Sequence, residues 1–253
     1  MKTLYIGAHQ DDVFIGAGIN ISKNPKEAVI LTLSDGRSAV KYPWTTGGKI
    51  FKNSDEYFKQ RLLEDRSAMA ALGVNVNNNY FNGKFPDGKT HENIPGIVSS
   101  IEKIIKMHSI EKIVTHSAPE AHPDHEVAWF CSHIVGGRNN IDVFEFVTYR
   151  IDGDGKYVRT FLDESQMKEI EEIRFNTKEQ KFRNHVASLY TTQKHIINIF
   201  DGSKEIIGKR KKFNLDRVPE TPYYYKNRKG FLQPNQIRQY MKNFEKNQIP
   251  LNK

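Results

Sequence analysis

Cys131 is the only cysteine in 253 residues. An internal disulfide is therefore excluded, and so is a zinc site built on thiolates. Any metal this chain holds must be held by histidine, aspartate or glutamate. Long apolar runs are also missing, and none approaches the roughly 20 residues a membrane-crossing helix needs. The start, Met1-Lys2-Thr3-Leu4-Tyr5-Ile6, enters a strand-like pattern without the apolar stretch and small-residue cleavage site of a signal peptide. A cytoplasmic protein with no transmembrane segment is the expectation. Internal repeats and long low-complexity segments are absent too.

Acidic residues are the minority charge, 30 Asp and Glu against 38 Lys and Arg, for a net charge of +8. Such a balance is compatible with nucleic acid, anionic surfaces or phosphate-bearing substrates. The densest cluster, Lys209-Arg210-Lys211-Lys212, reads first as solvated surface. Tyr223-Tyr224-Tyr225-Lys226-Asn227-Arg228-Lys229 interleaves aromatics with bases, as single-strand stacking surfaces do. Such tails more often pack on a domain or line a sugar site, so nucleic acid is not the expected partner. A homo-oligomer is left open.

Apolar residues make up 38% of the chain, enough for one large domain or one domain with an appendage. Lys2 to Ala8 reads as a buried strand, Val13 to Ser22 as a short helix, and Ala28 to Leu33 as a second strand ended by Ser34-Asp35-Gly36. That succession argues for a βαβ unit and a parallel sheet. An irregular loop follows over 37–54, then helices over 55–72 and 94–107, with a short strand at Tyr80-Phe81 and a turn-rich loop over 82–88. Glu111 to His116 is a strand. Asp124 to Val135 is a helix stopped by Gly136-Gly137, and Asp142 to Thr148 is another strand. The alternation over 1–150 predicts a doubly wound, Rossmann-like α/β fold: a three-layer sandwich with a mostly parallel sheet. Residues 151–253 read as a C-terminal helix/hairpin extension that packs on this core and shapes the substrate pocket. Within it, 163–190 reads as charged helix, 196–207 as a hairpin around Asp201-Gly202, 219–225 as an extended aromatic segment, and 233–246 as a surface-packed helix.

Two stretches carry the chemistry. Ala8-His9-Gln10-Asp11-Asp12 puts a histidine and two adjacent carboxylates where the first strand hands over to a helix. His122-Pro123-Asp124-His125 follows the strand ending at His116. Open α/β sheets bind ligands at the carboxyl ends of their strands, and both stretches fall there. Taken singly, a histidine at a strand end is usually structural and an Asp pair at a helix start usually caps it. Taken together, His9, Asp11, Asp12, His122 and His125 offer three ligands for a divalent ion and two groups for proton work. Adjacent side chains on a turn diverge, so one of Asp11 and Asp12 can hold the ion while the other faces the attacking water. That set suits hydrolysis of an amide. His116 reads equally as support for the site or as plain structure. His91, His108, His133, His185 and His195 have no partner pattern.

These motifs resemble those of the LmbE-like, or PIG-L, zinc-dependent N-deacetylases. The family's first signature is Ala-His-Pro-Asp-Asp followed by a Gly-rich helix start, and here it reads Ala8-His9-Gln10-Asp11-Asp12-Val13-Phe14-Ile15-Gly16-Ala17-Gly18. Its second, His-Pro-Asp-His, is complete at 122–125. Leu33-Ser34-Asp35-Gly36-Arg37, the helix from Arg61 through Glu64 and Ala68 to Leu72-Gly73-Val74, and Pro86-Asp87-Gly88 match more weakly in order and spacing. Tyr190-Thr191-Thr192-Gln193 looks like a later Ser/Thr-Gln element.

The resemblance implies a hydrolase that removes acetyl groups, mainly from N-acetylglucosaminyl substrates in lipids, thiol precursors and oligosaccharides. It implies one Zn2+ per chain, with another divalent metal compatible, and His9, Asp12 and His125 as its ligands. Asp11 would be the general base and His122 the cationic partner of the oxyanion. Arg61 and Asp87 would stand at sugar-contacting positions. Three residues depart from the family pattern. Gln10 replaces the usual proline, and Phe14 stands where an acid is common. Glu120-Ala121 occupies the stretch where some members place a tyrosine. The departures bear on the substrate, and leave room for another small amide (N-formyl or thiol-conjugate) or for a weakly catalytic, metal-bearing glycan-binding module.

Overall fold

The structure, a computed structural model, describes residues 1–37, 44–46, 49–118, 120, 122–152, 154–198, 202–217 and 232–248. Strand β1 (Thr3–Gly7) is buried along its whole length because both of its faces are covered. Leu4 and Ile6 point into one apolar cluster and Tyr5 into another. From β1 the chain runs into α1 (Asp12–Lys23) and β2 (Ala28–Ser34), then through a small hairpin of β3 (Trp44–Thr46) and β4 (Lys49–Phe51) to α2 (Ser54–Ala71). Next come β5 (Tyr80–Phe85), α3 (Ile94–His108), β6 (Lys112–His116), α4 (Pro123–Asn139) and β7 (Asp142–Phe146). A second hairpin pairs β8 (Arg150–Ile151) with β9 (Tyr157–Val158). The chain continues through β10 (Met167–Arg174), α5 (Thr177–Ala187), the single turn α6 (Lys194–Ile197), β11 (Lys204–Arg210) and α7 (Pro234–Gln248).

One seven-stranded sheet has the order β10-β11-β7-β6-β1-β2-β5. The strands from β7 to β5 are parallel, while β11 joins β7 and β10 joins β11 antiparallel. Helices cover both faces: α3, α4 and α7 on the side of Leu4 and Ile6, and α1, α2 and α5 on the side of Tyr5. This is the three-layer α/β sandwich read from the sequence. After β1 the chain builds outward to β2 and β5, then returns to lay β6 and β7 on the other flank of β1. The order therefore reverses between β1 and β6, and the loops leaving those two strands diverge around a crevice.

Several elements differ from the sequence reading. β5 continues through Asn82-Gly83 to Phe85, because Phe81 and Phe85 both pack on the core and outweigh the turn preference of Asn-Gly. Helix α4 runs past Gly136-Gly137 to Asn139, with Asn140 left-handed as its cap. Gly136 serves close approach, since a Cβ there would drive into Val143 of β7. Charged residues 167–174 form a sheet-edge strand, where five consecutive exposed residues from Lys168 to Glu172 face water and discourage edge pairing. The expected 196–207 hairpin is replaced by the turn α6 and by β11, which pairs with β10 and β7. The 219–225 segment and the aromatic-basic tail lie outside the described residues. α7 buries Ile237, Met241 and Phe244 against the core, with a spacing of four and three residues along one helical face. Among the described residues no helix is long and apolar enough to cross a membrane.

Residues beyond 150 also complete α1. That helix breaks at Ala17 (φ −149°, ψ 17°). Arg159 donates to the carbonyl of Ile15 at 2.7 Å on one side of the break. On the other side, the buried Glu205 carboxylate accepts from the backbone N–H groups of Ile19 and Asn20 at 2.6 and 2.9 Å. Replacement Glu205→Ala strands both donors in the interior. It is expected to lower stability by about 1–3 kcal/mol, read as a lower midpoint in urea at unchanged slope.

Candidate metal centre

β1 ends at Gly7, and the turn that follows is closed by Asp12, whose Oδ2 accepts from His9 N at 2.6 Å. Asp11 occupies the N-cap of α1 yet makes no side-chain capping bond. The bland reading of the Asp pair therefore fails for Asp11, whose carboxylate lies instead 3.5 Å from Arg61 Nη2. On the adjacent strand, His116 ends β6, and its Nε2 accepts from Ala8 N at 3.0 Å. At the start of α4 the N-cap is His122, whose Nδ1 accepts from Asp124 N at 3.2 Å.

These anchors bring the two motifs together. Asp12 Oδ2 lies 3.2 Å from His9 Nδ1 and 3.4 Å from His125 Nε2. Ligands about 2.1 Å from a tetrahedral ion stand about 3.4 Å from one another, so each of these two separations fits a pair of ligands on one small cation. Candidate ligand atoms of His9, His122 and His125 lie within 4.8 Å of one another, as do those of Asp12, His116 and His125 and those of His9, Asp87, His122 and Asp124. His125 Nε2 is buried and, among the described residues, makes no hydrogen bond, with Asp12 Oδ2 3.4 Å away. An imidazole nitrogen left this way is what an ion would satisfy.

The remaining imidazole nitrogens face carboxylates. His9 Nε2 lies 3.1 Å from Asp87 Oδ1 and 3.4 Å from Asp124 Oδ2, and His125 Nδ1 lies 2.8 Å from Glu120 Oε2. The charge balance follows. Burial opposes ionisation of Asp12, but the His125 and His116 imidazoles hold it well below the usual carboxylate range. Burial likewise disfavours protonated His9, and Asp87, Asp12 and Asp124 outweigh it and raise the group well above its ordinary value. His125, desolvated but faced by Asp12 and Glu120, is carried up to about 9. The site thus concentrates positive charge on these two imidazoles, and a divalent cation is what would displace their protons. The donor types fit the ion that the sequence implies, with the implied set divided between two clusters that share His125: His9 with His122, and Asp12 with His116.

Asp11 and His122 are tuned in other directions. Burial pushes the Asp11 carboxyl up to about 6, against the pull of Arg61 and with help from Asp12. Burial and the neighbouring His9 push His122 down to about 3, the nearby Asp124 notwithstanding. That direction disfavours the cationic His122 that the resemblance implies, in a site where His9 still carries its proton. With Nδ1 accepting from Asp124 N, its proton sits on Nε2.

Arg61 and Asp87 both reach the crevice. Arg61 donates to Gly36 O at 3.1 Å, and the Asp87 carboxylate approaches His9. The 190–193 element docks on α2 beside Arg61. Thr192 Oγ donates to Glu64 at 2.6 Å, Gln193 Nε2 to Tyr57 OH at 2.7 Å and Tyr190 OH to Asp65 at 2.8 Å. Phe14 is core, packed against Tyr190 and under Arg183. Gln10 is buried and donates to Ser34 O at 3.0 Å, clasping the end of β2 to the turn. Sequence reasoning missed Glu120, Thr148 and Asp124 as partners of the histidines. The only signal for Glu120 was an acid four residues after one histidine and five before another. Tyr149, just past β7, sets its ring 5.6 Å from that of His125.

The profile of the PIG-L family, described as GlcNAc-PI de-N-acetylase, matches residues 4–132. By sequence, no curated protein matches. Solved structures do. A triple mutant of Orf2, a deacetylase of teicoplanin biosynthesis, superposes with a TM-score of 0.63 at 17% identity over 85% of this chain and 100% of that one. The N,N'-diacetylchitobiose deacetylase of Pyrococcus horikoshii gives 0.51 at 15% identity over 76% and 70%. GalB, the 4-carboxy-2-hydroxymuconate hydratase of Pseudomonas putida KT2440, gives 0.52 at 14% over 87% and 99%. At these identities the likeness is one of fold.

Gly36 is the hinge on which Arg61 rests. Its φ of +61° is left-handed, and a Cβ there would overlap Gln10 Oε1 and stand 2.6 Å from Arg61 Nη1. Gly36→Ala is expected to cost about 1–3 kcal/mol through strain and displaced neighbours. Thermal unfolding checks this, with Gly137→Ala, where a Cβ meets nothing within 4 Å, as the control.

Proposed function

We propose, for a chain that belongs to the PIG-L family of de-N-acetylases, that it hydrolyses the N-acetyl amide of an amino sugar or glycoconjugate, releasing acetate and a free amine. A hydratase shares the fold, so the reading rests on the site and the family rather than on architecture. The observation that carries it is Asp12 Oδ2 standing 3.2 Å from His9 Nδ1 and 3.4 Å from His125 Nε2, beside an Asp11 carboxylate that caps nothing.

In this reading His9, Asp12 and His125 hold a zinc or another divalent ion. Bound there, such an ion supplies Lewis acidity and brings the pKa of water to about 7. Asp11 takes the proton of the attacking water and later delivers it to the leaving amine. Its raised pKa suits both halves of that task, because a carboxyl near 6 gains and loses a proton close to neutral pH. Arg61, pinned to Gly36 O, keeps Asp11 aimed and ionised before the reaction. His122 donates its Nε2 proton toward the developing oxyanion as a neutral imidazole. Arg61 and Asp87 border the crevice where the sugar would lie. Phe14 is no part of that wall, which removes it as a reason to favour an N-formyl or thiol-conjugate substrate.

Metal analysis combined with an acetate-release screen over N-acetylated amino sugars tests the reading. Stoichiometric metal with no acetate released across the panel would count against it. In the active protein, Asp11→Asn is expected to keep its metal and lose about 10²–10⁴-fold in turnover. Full activity in that variant removes Asp11 as the base. The base works ionised, so kcat/KM should fall as pH drops through the Asp11 pKa. The midpoint of that acid limb is expected at or below about 6, since a cation alongside favours the carboxylate. A limb that persists unchanged in Asp11→Asn would assign it to another group.

A further inference from the structure

We infer that Glu120 is the positioning residue of the centre, its carboxylate fixing the proton of His125 on Nδ1 and so keeping Nε2 open to the cation. The inference rests on His125 being a ligand, as proposed above.

Glu120 is 1% exposed and takes five donors. Its Oε2 faces His116 Nδ1 at 2.8 Å, His125 Nδ1 at 2.8 Å and Thr148 Oγ at 2.6 Å. Its Oε1 accepts from Thr148 N at 2.7 Å and Ser117 Oγ at 3.2 Å. The tautomer of His116 is set independently, because its Nε2 accepts from the Ala8 backbone and the proton must therefore be on Nδ1. His116 and His125 stack with ring centroids 3.9 Å apart and present the same nitrogen to the same oxygen of Glu120. Nothing on Glu120 donates, so His125 has to. The proton a cation would displace is then the one on Nε2, 3.4 Å from Asp12 Oδ2, which leaves that lone pair to the ion.

An isosteric amide cannot take over this role. In Glu120→Gln the NH2 group meets either the two imidazole N–H groups and the Thr148 hydroxyl, or the Thr148 backbone N–H. Either way donors face donors; the Thr148 N–H cannot give up its proton, so the relief open to the site is the first orientation, with a proton moved from Nδ1 to Nε2 of an imidazole. On His125 that closes the position meant for the ion. A side chain that merely filled space would tolerate the amide.

Two measurements on the full chain test this. Zinc affinity by competition with a chromophoric chelator is expected to fall about 10–100-fold in Glu120→Gln, the usual cost of losing a carboxylate behind a ligating histidine. Imidazole 15N spectra of the zinc-loaded wild type should show His125 coordinated through Nε2 with a proton on Nδ1. Coordination through Nδ1 would overturn the inference, as would wild-type zinc affinity in a folded Glu120→Gln protein. If that variant does not fold, the wild-type spectrum still decides. The two proposals fail separately. Lost zinc affinity in a protein that releases no acetate sinks the substrate reading and leaves Glu120 in place. Acetate release by a fully zinc-loaded Glu120→Gln protein of wild-type affinity does the reverse.

Discussion

The hydrogen bond from Ala8 N to His116 Nε2 joins two loops that are 108 residues apart in the chain. It exists because β1 and β6 are parallel neighbours, with Thr3 opposite Lys112 and Tyr5 opposite Val114. Both strands end at the same height, and the reversal of strand order between them opens the crevice. One imidazole then stitches the two exits together at their first residues. The geometry of the centre follows from that register. A slip of one residue would turn His116 to the other face of the sheet and separate Asp12 from its second imidazole neighbour.

Carboxylates, rather than histidines, set the electrostatic character of the site. Asp12, Glu120, Asp124 and Asp87 surround four imidazoles, and burial makes each contact count for more than it would in water. Asp124, wholly buried, is itself held by Gly88 N and by the backbone and hydroxyl of Thr90, which ties the 86–90 loop to the head of α4. Among the described residues, Asp11 differs from these in having Arg61 as the one hydrogen-bonding partner of its carboxylate. The proposed role of Asp11 as the base draws on that difference.

The sequence revealed this division unevenly. Motifs at strand ends were legible because metal and proton chemistry demand particular side chains at fixed places, and because a run such as 28–33 is apolar enough to read as a buried strand. The parallel core was readable for the same reason. Arg61 and Asp87 were placed only through a family resemblance, since nothing in their local spacing announces the crevice. Glu120 was read as a departure from a pattern, whereas the fold makes it an acceptor shared by two histidines. Its partners Thr148 and Ser117 come from two neighbouring strand ends, and no local rule predicts that meeting. Phe14 departs from the family pattern at a position that bears on the substrate, but the first turn of α1 rotates it into the core. The β10 strand was hidden by its charges, which belong to a sheet edge and imitate a solvated helix.

The break in α1 has a consequence for how the protein comes into being. Arg159 and Glu205 reach Ile15 and Ile19 across 144 and 186 residues of chain. As the polypeptide leaves the ribosome, the first motif emerges early, yet the helix that follows it stays unclamped until strand β11 has been made. Contacts of such long sequence separation close slowly. The finished shape of α1, and with it the backing of the first motif, therefore depends on a strand made 186 residues after the helix position it clamps.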